Sequence, residues 1–219
     1  MQGFSFGGIM LTIKHIEEMF KLQEQLEVHI SGPDWRKYRH DYRLCIHMEC
    51  AEIIDHMGWK HWKDVNAEPN WDMIAMELVD VWHFALAHFL MHRMTAKVLY
   101  DDLIEAQSEC TNPKVNMVQA CVGMGYSMFM NDLFPLGNFA IACDLAGMDF
   151  DQLYVLYISK NVLNRFRQDH GYKEGMYMKS WAGKEDNEHL MELCKELKDE
   201  LTADKLYFQL ALRYKLAGH

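Results

Sequence analysis

The sequence predicts an all-α protein, a helical bundle with no sheet. Three observations carry this reading. Apolar residues recur at helical spacing almost everywhere. No stretch alternates convincingly with period two. Only four prolines occur in 219 residues, at Pro33, Pro69, Pro113 and Pro135, so long stretches are free to be helical.

The first helix is expected over residues 9–30, with Ile13, Ile16, Met19, Phe20 and Leu26 inward, and Ser31-Gly32-Pro33 ends it. A second covers 39–57 and closes at Gly58; a third covers 71–95, after Glu68-Pro69-Asn70. Weaker helices follow near 97–109, 115–134 and 136–146. A clear one spans 149–168 with Asp149 as N-cap. Residues 169–184 are rich in Gly, Tyr and Lys and lack periodicity, which reads as a long loop. Two last helices, 185–198 and 202–216, close the chain. No repeat, linker or low-complexity tract divides it, so residues 1–219 are expected to form a single domain. Residues 1–11, MQGFSFGGIML, lack a basic n-region and a small-residue cleavage site, and read as a flexible extension rather than a signal peptide.

Half the residues are hydrophobic, enough for a sizeable core, and the formal net charge is −10. That balance argues against a nucleic-acid binder or an anionic-membrane binder. It leaves room for an anionic small substrate, because local cations and metal ions can reverse the local field. The six cysteines show no C-x-x-C spacing and read as buried, reduced thiols, which points to the cytoplasm and leaves organelle targeting open.

The third helix is the most informative segment. From Met73 to Met91 its strongly polar residues are Glu77, Asp80, His83 and His88. A helix apolar on all sides is usually buried, and its ionisable groups argue against a membrane span. Burial makes an unpaired carboxylate costly unless it takes up a proton, a cation or a metal. Glu77 and Asp80 lie three residues apart, on one face. The second helix repeats the arrangement with Glu49 and Glu52, bordering the apolar stripe Ile46, Cys50, Ile53, Ile54 and Met57. Two packed antiparallel helices would bring four carboxylates together, a set of hard oxygen ligands that suits Mg2+. Against this stands the plain reading of an E-x-x-E pair as an exposed charged face, which the apolar context of Glu77 and Asp80 opposes. Asp55 reads as a neighbour, not a ligand.

Between the two pairs lies Trp59-Lys60-His61-Trp62-Lys63, where lysines could neutralise phosphate while an indole packs on a base. Farther on, Lys160, Asn164 and Arg167 share one helix face and look like a phosphate-gripping edge, or else an exposed polar face. The loop after them carries Tyr172, Lys173, Lys179, Trp181 and Lys184. His83 shares the buried face of Asp80 and could meet substrate rather than metal. The 17 methionines read as core filler.

These segments resemble a known family. Residues 48–55 (MECAEIID), 59–63 (WKHWK) and 77–84 (ELVDVWHF) resemble the dimeric all-α dUTPases, members of an all-α NTP pyrophosphatase superfamily with the MazG-like and dCTP pyrophosphatases. Residues 160–168 (KNVLNRFRQ), 171–173 (GYK) and 181–187 (WAGKEDN) resemble that family's C-terminal motifs. The resemblance spans roughly residues 12–190 and is thin over 95–145.

The resemblance implies hydrolysis of dUTP to dUMP and pyrophosphate by a homodimer, with attack on the β-phosphorus and dUDP as a further substrate. It implies two or more Mg2+ ions, replaceable by Mn2+, held by Glu49, Glu52, Glu77 and Asp80. Glu52 would also orient or deprotonate the attacking water. Lys60, Lys63, Lys160, Asn164 and Arg167 would hold phosphates and sugar. Tyr172 and Lys173 would belong to a mobile substrate-covering loop, 169–184. Gln23, Trp62, His83, Phe84 and Asn187 would line the base pocket. One departure bears on base and sugar selectivity: the family pattern has an asparagine four residues after the glutamine, and here Glu27 stands there.

Two other chemistries stay open on the residues alone. A related pyrophosphatase acting on dCTP or modified nucleotides would share the acidic pairs. A di-metal carboxylate oxidase usually needs Glu-x-x-His pairs, which this sequence lacks. A non-enzymatic helical interaction module would bind no nucleotide.

Overall fold

The computed structural model describes residues 11–62, 68–109 and 114–219. Residues 1–10 of the expected extension and Lys63 lie outside the described residues. Leu11, assigned to that extension, is buried in the core, one residue before the Thr12 N-cap.

Helix α1 (Ile13–Ser31) starts where the Thr12 side chain accepts from the His15 N–H, and it stops at Gly32, whose φ of 83° suits a residue without a Cβ. A short α2 (Trp35–Tyr38) follows. Then come α3 (Tyr42–His56), α4 (Trp71–Met91), α5 (Ala96–Glu109), α6 (Met117–Asn131) and α7 (Leu136–Leu145). Helix α8 (Phe150–Asp169) opens on the expected cap: Asp149 accepts from the Gln152 N–H at 2.7 Å while the Gln152 side chain returns to the Asp149 N–H. Helices α9 (Asp186–Leu197) and α10 (Ala203–Leu216) close the chain, joined through a 3-10 turn at Lys198–Glu200.

The architecture is all-α, with one correction. Two-residue strands β1 (Ser180–Trp181) and β2 (Lys184–Glu185) pair antiparallel at the end of the segment expected to be plain loop, and β2 takes in Glu185, expected as the first helical residue. Ala182 and Gly183, both with positive φ, supply the primed turn that such a hairpin needs. Strands this short leave no alternation to read.

Helix α4 is the centre of the bundle. Every residue from Met73 to Phe89 is buried except Asp80 and Phe84, which are partly covered. It packs against α1, α3, α7, α8 and α9, with α3 its most extensive neighbour. Its apolar length is therefore absorbed by protein on all sides. Trp82 anchors the contact, stacked on Phe139 of α7 at 5.2 Å between centroids, its indole N–H directed at the Met19 sulfur of α1.

The stretch 169–184 is anchored in part. Tyr177 and Trp181 are buried, Tyr177 stacks on Tyr214 of α10 at 5.3 Å, and the Met178 N–H donates to the Tyr214 hydroxyl at 3.1 Å. Tyr172, Met176 and Met178 stay exposed.

Candidate active site

Helices α1, α3, α4 and α8, with the start of α9, enclose a cavity of about 670 Å³. Its walls carry Glu49, Glu52, Glu77, Asp80, Lys160, Asn164, Arg167, Tyr172, Gln23, His83, Phe84 and Asn187. Thus residues assigned from sequence to metal, phosphate and base converge on one space.

The packing of α3 on α4 sets the acidic wall. Glu49, Glu52 and Glu77 each bring a carboxylate oxygen within 4.8 Å of the others. Their burial is graded: Glu77 is buried, Glu49 half-buried and Glu52 exposed. Burial pushes the Glu49 carboxyl up to about 8, with repulsion from Asp80, Glu77 and Glu52 adding to it and Lys160 opposing. Burial also pushes Glu77 up to about 7, with Asp80 and Glu52 adding and Lys160 and Lys179 opposing. Carboxyls in this condition hold protons near neutrality that a cation would displace. Oxygen-only ligands on two rigid helices match a hard divalent ion. His56, which was not singled out from sequence, adds its Nε2 at 3.4 Å from Glu77 Oε1.

Asp80 stands beside the acidic triplet with a partner of its own. Its Oδ2 accepts from Lys160 Nζ at 2.6 Å, and the same ammonium donates to Asn187 Oδ1 at 2.9 Å. Lys160 is almost wholly buried, so this ammonium is held rigidly. Two helical turns on, Arg167 forms a two-pronged pair with the fully buried Asp186, at 2.7 and 2.8 Å. Burial drives the Asp186 carboxyl up, yet the hydrogen bonds and charge of Arg167 outweigh it and leave it below its ordinary value. Asn164 and Asn187 also accept from this guanidinium.

The other end of the cavity is a buried hydrogen-bond network. Gln23 Nε2 donates to Glu27 at 3.0 Å, Tyr42 donates to the other Glu27 oxygen at 2.9 Å, and Tyr157 reaches Gln23 Oε1 at 3.2 Å. His83 Nδ1 lies 2.9 Å from the same Gln23 oxygen, so that nitrogen carries the hydrogen. Burial pushes the His83 imidazole down to about 3, and the ring is neutral. Its Nε2 is thereby a bare acceptor, buried and without a protein partner. Burial also raises the Glu27 carboxyl, against the hydrogen bonds from Tyr42 and Gln23. Glu27 is therefore an interior member of the network, at the position where the family pattern carries asparagine.

Three other predicted residues lie apart from the cavity wall. Lys60 pairs with Asp55. Trp62 is 62% exposed and packs on Trp59 and His61. Lys173 donates to the Ile30 carbonyl at 3.1 Å. Sequence reasoning passed over Tyr157 and Asp186. Tyr157 was findable, since it lies three residues before Lys160 on the same face of α8; Asp186 meets Arg167 only through the fold.

A family model described as dUTPase matches residues 15–172, from the first turn of α1 to just beyond α8. No curated protein matches the chain. The family match takes in more than two-thirds of the 219 residues, with Glu49, Glu52, Glu77 and Asp80 among them, and the chain belongs to the dUTPase family, hydrolases that split dUTP into dUMP and pyrophosphate.

Proposed function

We propose that dUTP lies along this cavity with its phosphates at the carboxylates of α3 and α4 and its base at His83, and that hydrolysis uses Mg2+. The observation that carries this reading is the convergence in one cavity of three carboxylate oxygens within 4.8 Å, a phosphate-compatible pair of cations and a buried neutral acceptor. Glu49, Glu52 and Glu77, with Asp80, would hold the ions. Mg2+ bound there supplies charge neutralisation for a triphosphate of about four negative charges and acidifies coordinated water.

The chain's own residues divide the remaining work. Glu52 is the most exposed of the triplet, so it is the member free to take a proton from the attacking water. Lys160 and Arg167 offset charge gathering at the breaking anhydride bond. Each is already positioned by an acid, the partly covered Asp80 or the fully buried Asp186, so little reorganisation is needed. The same arrangement accepts dUDP, giving dUMP and phosphate. His83 Nε2 is an acceptor, which suits the N3–H of uracil; the N3 of cytosine carries no hydrogen to donate.

The functional unit is a homodimer. Support comes from α6, which exposes Val122, Tyr126, Phe129 and Met130, with Leu133 exposed just beyond its end; Phe129 meets His47 of α3, the helix that exposes Leu44 and Met48. Apolar patches of that kind mark protein–protein contacts. The cytoplasm suits the buried thiols Cys50, Cys121 and Cys194.

Pyrophosphate release from dUTP, dCTP, dTTP and UTP, with and without Mg2+, tests the reading. The expected result is release that requires Mg2+ and is fastest with dUTP. Equal rates with dCTP would overturn the role of His83, and full activity in excess chelator would overturn the metal site.

A further inference from the structure

A second group of ligating side chains lies where α4 ends. His88, in its last turn, and His92, its C-cap, stand four residues apart and share a face, with ring centroids 4.4 Å apart. Asp132, the C-cap of α6, meets them from the neighbouring helix, its Oδ2 3.6 Å from His92 Nε2. One ligand atom from each residue lies within 4.8 Å of the others. Two ligands bound about 2.0–2.1 Å from a tetrahedral ion lie roughly 3.4 Å apart. The His92–Asp132 edge is already close to that span.

None of the three lines the catalytic cavity. They are also different in kind from its carboxylate triplet: two imidazoles and one carboxylate suit Zn2+ and its first-row neighbours far better than Mg2+. The nearby cation leaves this face of Asp132 open. Arg43 is held by both oxygens of Asp41, at 2.9 and 3.1 Å, and reaches only Asp132 Oδ1, at 4.0 Å.

We propose that His88, His92 and Asp132 form a second metal site, selective for a Zn2+-class ion, that ties the C-terminal end of α4 to the C-terminal end of α6. The site leaves at least one coordination position to water, as three protein ligands do on Zn2+. By its position it would hold α6 against the far end of the helix that carries Glu77 and Asp80.

The test uses the full chain, stripped of metal with a chelator, and titrated with Zn2+ by calorimetry. Glu49→Gln/Glu52→Gln serves as the background, since it weakens the acidic site. The expected result is one retained Zn2+, with affinity reduced roughly 10–100-fold or more by His92→Ala or Asp132→Asn. Both substitutions are at half-exposed positions, and Asn tolerates the φ of 53° that Asp132 adopts. Co2+ should give a visible absorption band in the background variant that His92→Ala abolishes. Loss of Zn2+ binding in the background variant, or binding unchanged by both substitutions, would overturn the proposal. Hydrolysis of dUTP with Mg2+ is read separately on His92→Ala and Asp132→Asn, so that failure of this site is distinguishable from failure of the catalytic reading.

Discussion

At the scale of single residues, the cavity is a problem of charge placed in low-dielectric surroundings. Glu49 and Glu77 rise from an ordinary value of 4.5 to about 8 and about 7, first through burial and then through neighbouring acids. In the metal-free protein the folded state then holds more protons than the unfolded chain between those limits. Stability is greatest below about pH 4.5 as far as these two groups are concerned, and falls as pH climbs through 7 and 8. A divalent ion reverses the trend, because it binds the ionised carboxyls. Thermal melts from pH 5.5 to 8.5 should therefore show a stabilisation by Mg2+ that widens with pH. A Mg2+ shift of constant size across that range would contradict the coupling.

Residue-scale legibility in the sequence was uneven for a physical reason. Glu77 and Asp80 stand out because their neighbours on α4 are apolar, and Glu49 and Glu52 because they repeat the spacing three residues apart. The partners that tune the site are not local. Asp80 meets Lys160 across 80 residues, and His83 meets Gln23 across 60. No periodicity carries such pairings. Lys60, read as a phosphate cation from its flanking tryptophans, pairs with Asp55, a contact those tryptophans do not announce.

At the scale of elements, helices were legible where an apolar stripe and a cap coincide. The Asp149 capping box and the stop at Gly32 both follow from backbone groups that need partners at helix ends. Helix α2 was missed because four residues are too few to show a stripe, although Trp35 is buried and donates to Glu24 at 3.0 Å. The outward face of α6 yields a prediction at this scale. Its exposed apolar residues belong to a helix whose other side, through Met117, Cys121, Met124 and Met128, is fully buried. Tyr126, 65% exposed, contributes to the outer face alone. Tyr126→Glu should convert the dimer to monomer in sedimentation velocity and leave the helical circular dichroism unchanged. A wild-type chain that sediments as a monomer at micromolar concentration would sink the dimer.

At the scale of the whole molecule, α4 acts as a rigid spine. Its N-terminal half presents Glu77 and Asp80 to the cavity, its middle presents His83, and its end presents His88 and His92 to α6. Helix α8 faces it with Lys160 and Arg167, and α9 locks both cations through Asn187 and Asp186. Acids and cations thus arrive from separate elements whose relative positions the buried core maintains. That arrangement is what a polyphosphate needs, and it explains how a chain of net charge −10 can take a tetraanion. The most direct measurement is the initial rate of pyrophosphate release from dUTP, as a function of Mg2+ concentration, for the wild type and for Glu52→Gln. The expected result is saturable Mg2+ dependence in the wild type and a loss of roughly 10²–10⁴-fold in turnover for the folded variant. Near-wild-type turnover by Glu52→Gln would contradict the assignment of Glu52 as the base.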